Sequence, residues 1–256
     1  MTRVVLLGAG GWLGSAIHRV LLDLGPVQAM SRHDCPGSAE EFARLLAPGP
    51  DLVVVNAAGR LRGTPEELTR DNVILPQHLT EALRSTGAHL VHLGSPAEYG
   101  DPHGPEPIGE DHEVDPITPY GRTKAEASRV VLAHDSWCVL RPFNVIDEEM
   151  VAVNPIAIIR SQIRRTLDAG PLVELPAAEA IRDHVSRTFI AQSVARAVQD
   201  RVSGAFNLCS GRGLTYRAIA EAVARRLGVP IEIVDLDRPG IKAVVGNPTA
   251  WHDRTG

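Results

Sequence analysis

The chain has 256 residues, of which 44% are hydrophobic and 22% charged, with a formal net charge of −5, a composition typical of globular proteins. A chain of this length buries roughly 70–75% of its unfolded surface and needs no covalent or metal staple; without a basic run it offers nothing to nucleic acid or an acidic membrane surface. Cys35, Cys138 and Cys209 are odd in number, widely spaced and form no CxxC pair, which suggests neither a disulfide framework nor a zinc site and fits a reducing, cytoplasmic setting.

Residues 4–7 form a short apolar run ended by glycine, and Trp12, Leu13, Ala16, Ile17, Val20, Leu21 and Leu24 then recur at helical spacing. This reads as strand, tight turn and helix. The run enters the glycines directly, so no cleavable leader is expected, and no apolar stretch is long enough to span a bilayer. A second strand is predicted at 27–30, a helix at 38–46 capped by Ser38 with Glu41 three residues on, and a third strand at 52–55. Thr64, followed by Pro65 and Glu67, opens another helix. Strands follow at 89–93 and 137–140, with a helix over 120–133 between them. Short apolar strands alternating with helices predict an α/β fold of the Rossmann type, a doubly wound parallel sheet.

Residues 101–119 are rich in Pro, Gly and acids and lack periodicity, so a long loop of the kind often given to function is expected there. Beyond Asn144 come a helix at 155–167, a strand at 172–175, a helix at 189–198 and a strand at 205–208. A last helix is capped by Thr215 and ended by Gly228. The expected organisation is a dinucleotide-binding domain over 1–150, with 183–203 packing back on it. A small, mainly C-terminal α/β lobe over 151–256 would hold the substrate. No internal repeat is present.

Gly8, Gly11 and Gly14 lie between the first strand and first helix, where glycines let backbone N–H groups approach a pyrophosphate; a purely structural glycine turn gives the same pattern. The absence of Gly-Lys-Ser/Thr argues against a triphosphate loop. Tyr120 and Lys124 are four apart, hence on one helix face. A cation there is expected to lower the pKa of a phenol, whose ordinary value of about 10 suits acid–base work poorly, while a surface pair is the plain alternative. Ser95 follows the fourth strand at the carboxyl edge, either to polarise a carbonyl or merely to cap. His89 and His92, three apart on a strand, point to opposite faces, and His103 and His112 lie in the long loop, so no metal site is expected.

Taken in order, these motifs resemble those of the extended short-chain dehydrogenase/reductases, the NAD-dependent epimerase/dehydratase family, over essentially the whole length. The resemblance is carried by Gly8, Gly11 and Gly14; by Asn56, Ala57 and Ala58; and by Asn72 and Val73. It continues through Ser95 with Tyr99 and Gly100, Tyr120 with Lys124, the Arg-x-Phe-Asn-Val run from Arg141, the Arg-Asp-x-Val run from Arg182, and the stretch from Gly204 to Gly211. His184 stands where an aromatic residue is usual, and Asp147 where glycine is common.

The resemblance implies that Ser95 polarises a substrate carbonyl, Tyr120 transfers the proton, and Lys124 holds the nicotinamide ribose while depressing the tyrosine pKa. Gly8, Gly11, Trp12, Leu13, Gly14, Ala57, Ala58, Gly59 and Pro142 would line the cofactor. Arg182 would hold the diphosphate of a nucleotide sugar, with Asn144 and Arg238 as further candidates; an ion pair with Asp183 is the alternative for Arg182. Ser31 and Arg32 after the second strand suit a 2′-phosphate, so NADP(H) is favoured over NAD(H), although Asp34 fits the NAD role if that strand runs longer. Glu98 falls one position late for a dehydratase pair. The expected activity is therefore reduction of a keto group on a nucleotide-linked deoxysugar, similar to NDP-4-keto-6-deoxysugar reductases. The alternatives are an NAD-dependent epimerase and a non-catalytic dinucleotide sensor. A homodimer through the Tyr120 helix is also implied, as is a shortened lobe, since the chain ends soon after Trp251.

Overall fold

The computed structural model describes residues 2–102, 106–146, 155–165 and 171–256. Asp147 and His103 lie outside the described residues. The chain begins as expected, with β1 (Arg3–Leu7), α1 (Trp12–Leu21), β2 (Val27–Met30), α2 (Ala39–Leu46) and β3 (Leu52–Asn56). The first helix stops at Leu21, and residues 22–24 tighten into a 3₁₀ turn before Gly25 at φ +137°. After α3 (Pro65–Thr69), opened by the expected Thr64 cap, the chain widens into a π-helical turn, Arg70–Ile74, and continues as α4 (Leu75–Leu83). Such turns break the helical register and often mark functional positions. Here the turn carries Asp71 and Asn72, both buried.

Strand β4 (His89–Leu93), α5 (Pro119–Leu132) and β5 (Cys138–Pro142) follow. Helix α5 starts with Pro119 at its first position behind the Thr118 cap, one residue earlier than its sequence pattern predicts. Beyond it lie β6 (Asn144–Ile146), α6 (Pro155–Arg165), β7 (Leu172–Leu175), β8 (Ile181–Ser186), α7 (Arg187–Gln199) and β9 (Gly204–Leu208). The chain closes with β10 (Gly213–Thr215), α8 (Tyr216–Leu227), β11 (Glu232–Asp235), β12 (Ala243–Val244) and α9 (Thr249–Thr255).

The main sheet is parallel throughout and runs β2-β1-β3-β4-β5-β9. Its order reverses at β1, where one connection leads to β2 and the next returns to β3, opening a crevice at the carboxyl ends of those strands. The central strands β3, β4 and β5 are buried on both faces, which is why they read as mostly apolar runs, while the edge strand β2 exposes Gln28 and Ala29. One face packs Ile17, Leu21, Ile190, Val194 and Trp251 from α1, α7 and α9. The other packs Phe42, Leu46, Leu79, Leu83 and Val131 from α2, α4 and α5. At about 1.5–3 kcal/mol for each fully buried large apolar side chain, these two layers hold the crevice rigid.

Two small sheets stand beside the main one: β10-β8-β12 with β6 added on β8, and the parallel pair β11-β7. The β11-β7 pair packs with α6 and α8 around an apolar cluster of Ile159, Ile163, Val173, Leu175, Ile219 and Val223. The loop residues 106–118 are pinned to this side: Ile108 N–H donates to Val245 O at 2.8 Å, and Asn247 N–H donates back to Ile108 O at 2.9 Å. Asp183, fully buried on β8, accepts from Ser210 N, Gly211 N and Gly246 N at 2.8, 2.9 and 3.3 Å.

Candidate active site

The glycine turn is shaped by close approach. Gly8 sits at φ +82°, and a Cβ there would lie 2.6 Å from Ala58 N. A Cβ on Gly14 would collide with the Gly8 carbonyl. Helix α1 therefore starts hard against the ends of β1 and β3. No side chain caps its first turn and no acidic residue enters it, so its first N–H groups stay open to an anion. Trp12 Nε1 is buried and has no hydrogen-bond partner among the described residues, and the Arg187 guanidinium lies 5.6 Å from the Trp12 ring centroid. This donor-rich, acid-free cradle fits a dinucleotide pyrophosphate.

A cavity of about 570 Å³ opens from this point across the carboxyl edge. Trp12, Leu13, Ser95, Tyr120, Pro142, Asn144 and Arg182 line it, so residues drawn from three expected groups meet in one space. Ser31, Arg32, Ala57, Ala58, Gly59 and the three glycines lie outside its lining, along the crevice between β2, β1 and β3. A second cavity of about 500 Å³ shares Arg182, Tyr216 and Ile241 with the first and reaches Arg238, Gln162 and Glu174.

Ser95 follows β4 and caps the short turn over 96–98, its hydroxyl accepting from Ala97 N at 3.2 Å. The capping reading and the functional one coexist, because Ser95 and Tyr120 line the same cavity and the Ser95 side chain favours the ionised phenol. The expected depression of the tyrosine does not occur in this structure. Burial pushes the phenol up, the Ser95 side chain pulls it down, and the Glu98 carboxylate adds to the rise. Lys124, one turn along α5, is itself lowered to about 8 by burial, against the pull of Glu98. It sits beneath the cavity, donating to Leu93 O and lying 3.4 Å from His92 Nε2.

Glu98, fully buried, ties these groups together. It accepts from Ser95 N at 2.8 Å, from Ser128 Oγ of α5 at 2.9 Å, and from Arg141 Nε of β5 at 2.8 Å. Arg141 also donates to the Tyr99 hydroxyl at 2.7 Å, which in turn donates to Asn207 Oδ1 at 2.8 Å. Sequence reasoning noticed Glu98 only as a displaced dehydratase acid. Its Ser-x-x-Glu spacing, a capping-box pattern, is the signal that marks it.

At the far end of the crevice, β2 stops at Met30, and Asp34 accepts from both Ser31 N and Ser31 Oγ, at 3.0 and 2.6 Å. Arg32, Arg60 and Arg70 converge on the buried Asp71 at 3.2, 2.7 and 2.9 Å. Burial pushes the Asp71 carboxyl up, and the three arginines outweigh it and hold the group below the ordinary carboxylate range. Sequence reasoning missed Arg60, because the π-helical turn that brings Asp71 and Asn72 to it leaves no periodic signature. Asn72 accepts from Arg60 N at 2.7 Å and donates to Thr123 Oγ1 at 3.0 Å, joining this loop to α5.

On the substrate side, Arg182 forms no ion pair with its neighbour Asp183, whose carboxylate is occupied by the loop N–H groups. The guanidinium donates to Ile241 O and Ile181 O, both at 2.8 Å, and lies 6.0 Å from the Tyr216 centroid, at the junction of the two cavities. Asn144 donates to Asp183 O at 3.0 Å and faces the first cavity, and Arg238 faces the second. His184 is paired in register with Asn144, and its Nδ1 donates to Arg182 O at 3.0 Å. Among the described residues no group of three or more His, Cys, Asp or Glu could hold a metal, and no helix is long and apolar enough to cross a membrane.

Comparison with known proteins agrees with this arrangement. A curated relative, the dTDP-6-deoxy-L-talose 4-dehydrogenase (NAD(P)(+)) of Kitasatospora kifunensis, is 29% identical, over 97% of this chain and 86% of its own. The UDP-glucose 4-epimerase of Thermus thermophilus, solved with NAD, shares the fold at a TM-score of 0.82 and 22% identity, covering 99% of this chain and 93% of its own. RMD from Pseudomonas aeruginosa, solved with NADPH, does so at 0.82 and 22%, covering 100% and 92%. The model of the NAD dependent epimerase/dehydratase family matches residues 4–209, and with the glycine turn, the Tyr120–Lys124 helix and the doubly wound sheet in place, the chain belongs to that family.

Proposed function

We propose that this chain is an NADPH-dependent reductase of a keto group on a nucleotide-linked sugar. The observation that carries the reading is the state of Tyr120. Its phenol is kept protonated by burial and the nearby Glu98, and it is set beside Ser95 on a cavity that runs from the start of α1 to Arg182. A protonated phenol is the state a reductase needs to donate to a developing alkoxide. When bound, the dinucleotide supplies the hydride. Ser95 holds the carbonyl oxygen, Tyr120 gives it the proton, and the buried Lys124 sets the electrostatics beneath them. Arg182 is suited to fork two hydrogen bonds to the diphosphate, and the second cavity beyond it, with Arg238, has the room for a nucleoside.

Preference for NADPH is supported at the other end. Asp34 is engaged in capping Ser31, which leaves no free acid just after β2, and three arginines share one carboxylate beside it. Fluorescence titration of the cofactor-free protein with NADPH and NADH tests this. Arg32→Ala should weaken NADPH binding about 10–100-fold, the value of one or two charge-assisted hydrogen bonds, and leave NADH unchanged. Preference for NADH, or NAD that co-purifies and ignores the substitution, would instead indicate an epimerase that keeps its cofactor. Binding of neither would mark a non-catalytic protein.

A further inference from the structure

The hydrogen bonds beneath Tyr120 have a direction. The Ala58 N–H can only donate, and it meets an Asn56 side-chain atom at 3.1 Å; that atom is therefore the carbonyl oxygen, and the Asn56 NH₂ faces His92 Nδ1 at 3.1 Å. An amide NH₂ offers no lone pair, so Nδ1 accepts. His92 is fully buried, and that burial is the main cause holding its pKa well below the ordinary value. The neutral ring thus carries its proton on Nε2, which faces the Lys124 nitrogen at 3.4 Å. An ammonium has three donors and no acceptor, so that state sets donor against donor. The neutral amine accepts from His92 through its lone pair and still donates to Leu93 O.

We propose that Asn56 and His92 are positioning residues for Lys124: the pair fixes the imidazole proton on Nε2, presents it to the lysine nitrogen, and favours the amine over the ammonium. The other groups around Lys124 set the balance. Glu98, from the turn after β4, favours the ammonium, but Arg141 of β5 engages that carboxylate from its other side. Tyr120, one turn earlier on α5, is neutral. Burial and the His92 N–H thus oppose a shared carboxylate, and Lys124 changes protonation close to neutral pH rather than far above it. The significance for turnover rests on the reductase reading, since the amine is the form Lys124 takes once it has released a proton into the site.

The chain contains only two lysines, Lys124 and the exposed Lys242, so lysine-selective ¹³C NMR follows Lys124 directly, without cofactor or substrate. The expected result is a midpoint near 8 for one signal, and imidazole ¹⁵N shifts that place the His92 proton on Nε2. Asn56→Asp offers oxygen to both Ala58 N–H and His92 Nδ1–H, which reverses the tautomer. It should move the Lys124 midpoint up by about one pH unit or more. In a His92→Phe background, adding Asn56→Asp should produce little of that rise; a rise of the same size there comes from the new charge alone and overturns the proposal. So does a wild-type proton on Nδ1, a measurement that needs no variant. Failure of the reductase reading is separate, and shows as turnover retained in Tyr120→Phe.

Discussion

Tyr120 and Ser95 make the sharpest demand at the scale of single residues. If the phenol is the proton donor, Tyr120→Phe removes one hydroxyl and leaves the cavity walls in place. Turnover should then fall by roughly 10²–10⁴, the usual worth of a positioned general acid, while NADPH binding by fluorescence titration stays within a few-fold. Equal loss of both would mean that the ring supports the crevice rather than the chemistry. Tyr120, Lys124 and Ser95 were legible in the sequence because a helix places i and i+4 on one face and a serine after a strand falls at the carboxyl edge. The contacts that Asn56 and His92 make beneath them were not. His92 meets Asn56 from 36 residues away and Lys124 from 32, so its partners belong to other strands and helices, and no local period announces them.

Among elements, β8 gained most from being seen in three dimensions. Its sequence was legible as an Arg-Asp motif but not as a strand, because its partners β6, β10 and β12 have only three, three and two residues and come from distant parts of the chain. What holds them is Asp183, which supplies an acceptor to the N–H groups of Ser210, Gly211 and Gly246. Asp183→Ala strands the buried Gly246 N–H, removes the acceptor of the part-buried Ser210 and Gly211 N–H groups, and empties a fully buried site; a buried lost partner alone costs about 1–3 kcal/mol. The expected effect is a drop in unfolding free energy of about 3–5 kcal/mol by urea denaturation. Asn144 and Arg182 flank this residue, so sugar binding should weaken as well in any fraction that folds. The capped helices α2, α3 and α8, by contrast, announced themselves through Ser38, Thr64 and Thr215, whose side-chain roles are local.

The whole molecule is tuned against acid by imidazoles that are buried uncharged. Burial and the charge of Arg201 lower His89 to about 4, burial lowers His184, and burial with Lys124 holds His92 well below its ordinary value. In the unfolded chain each takes up a proton near pH 6.5. Below that value the unfolded state binds more protons than the folded one, so these histidines contribute stability that is complete above pH 6.5 and lost as pH falls toward 4. The melting temperature should therefore decline across that window, before most carboxylates titrate. His89 is the one to test, since it stands at the start of β4, apart from the cavity, with its Nε2 lacking a hydrogen-bond partner among the described residues. His89→Gln removes one titrating group and should flatten the decline between about pH 6.5 and 4, as followed by calorimetry, while turnover at about pH 7.5 is unchanged. A decline of the same slope in this variant would assign the acid sensitivity to carboxylates instead, with Asp71 and Asp34, both held below the ordinary range by their partners, the first to examine.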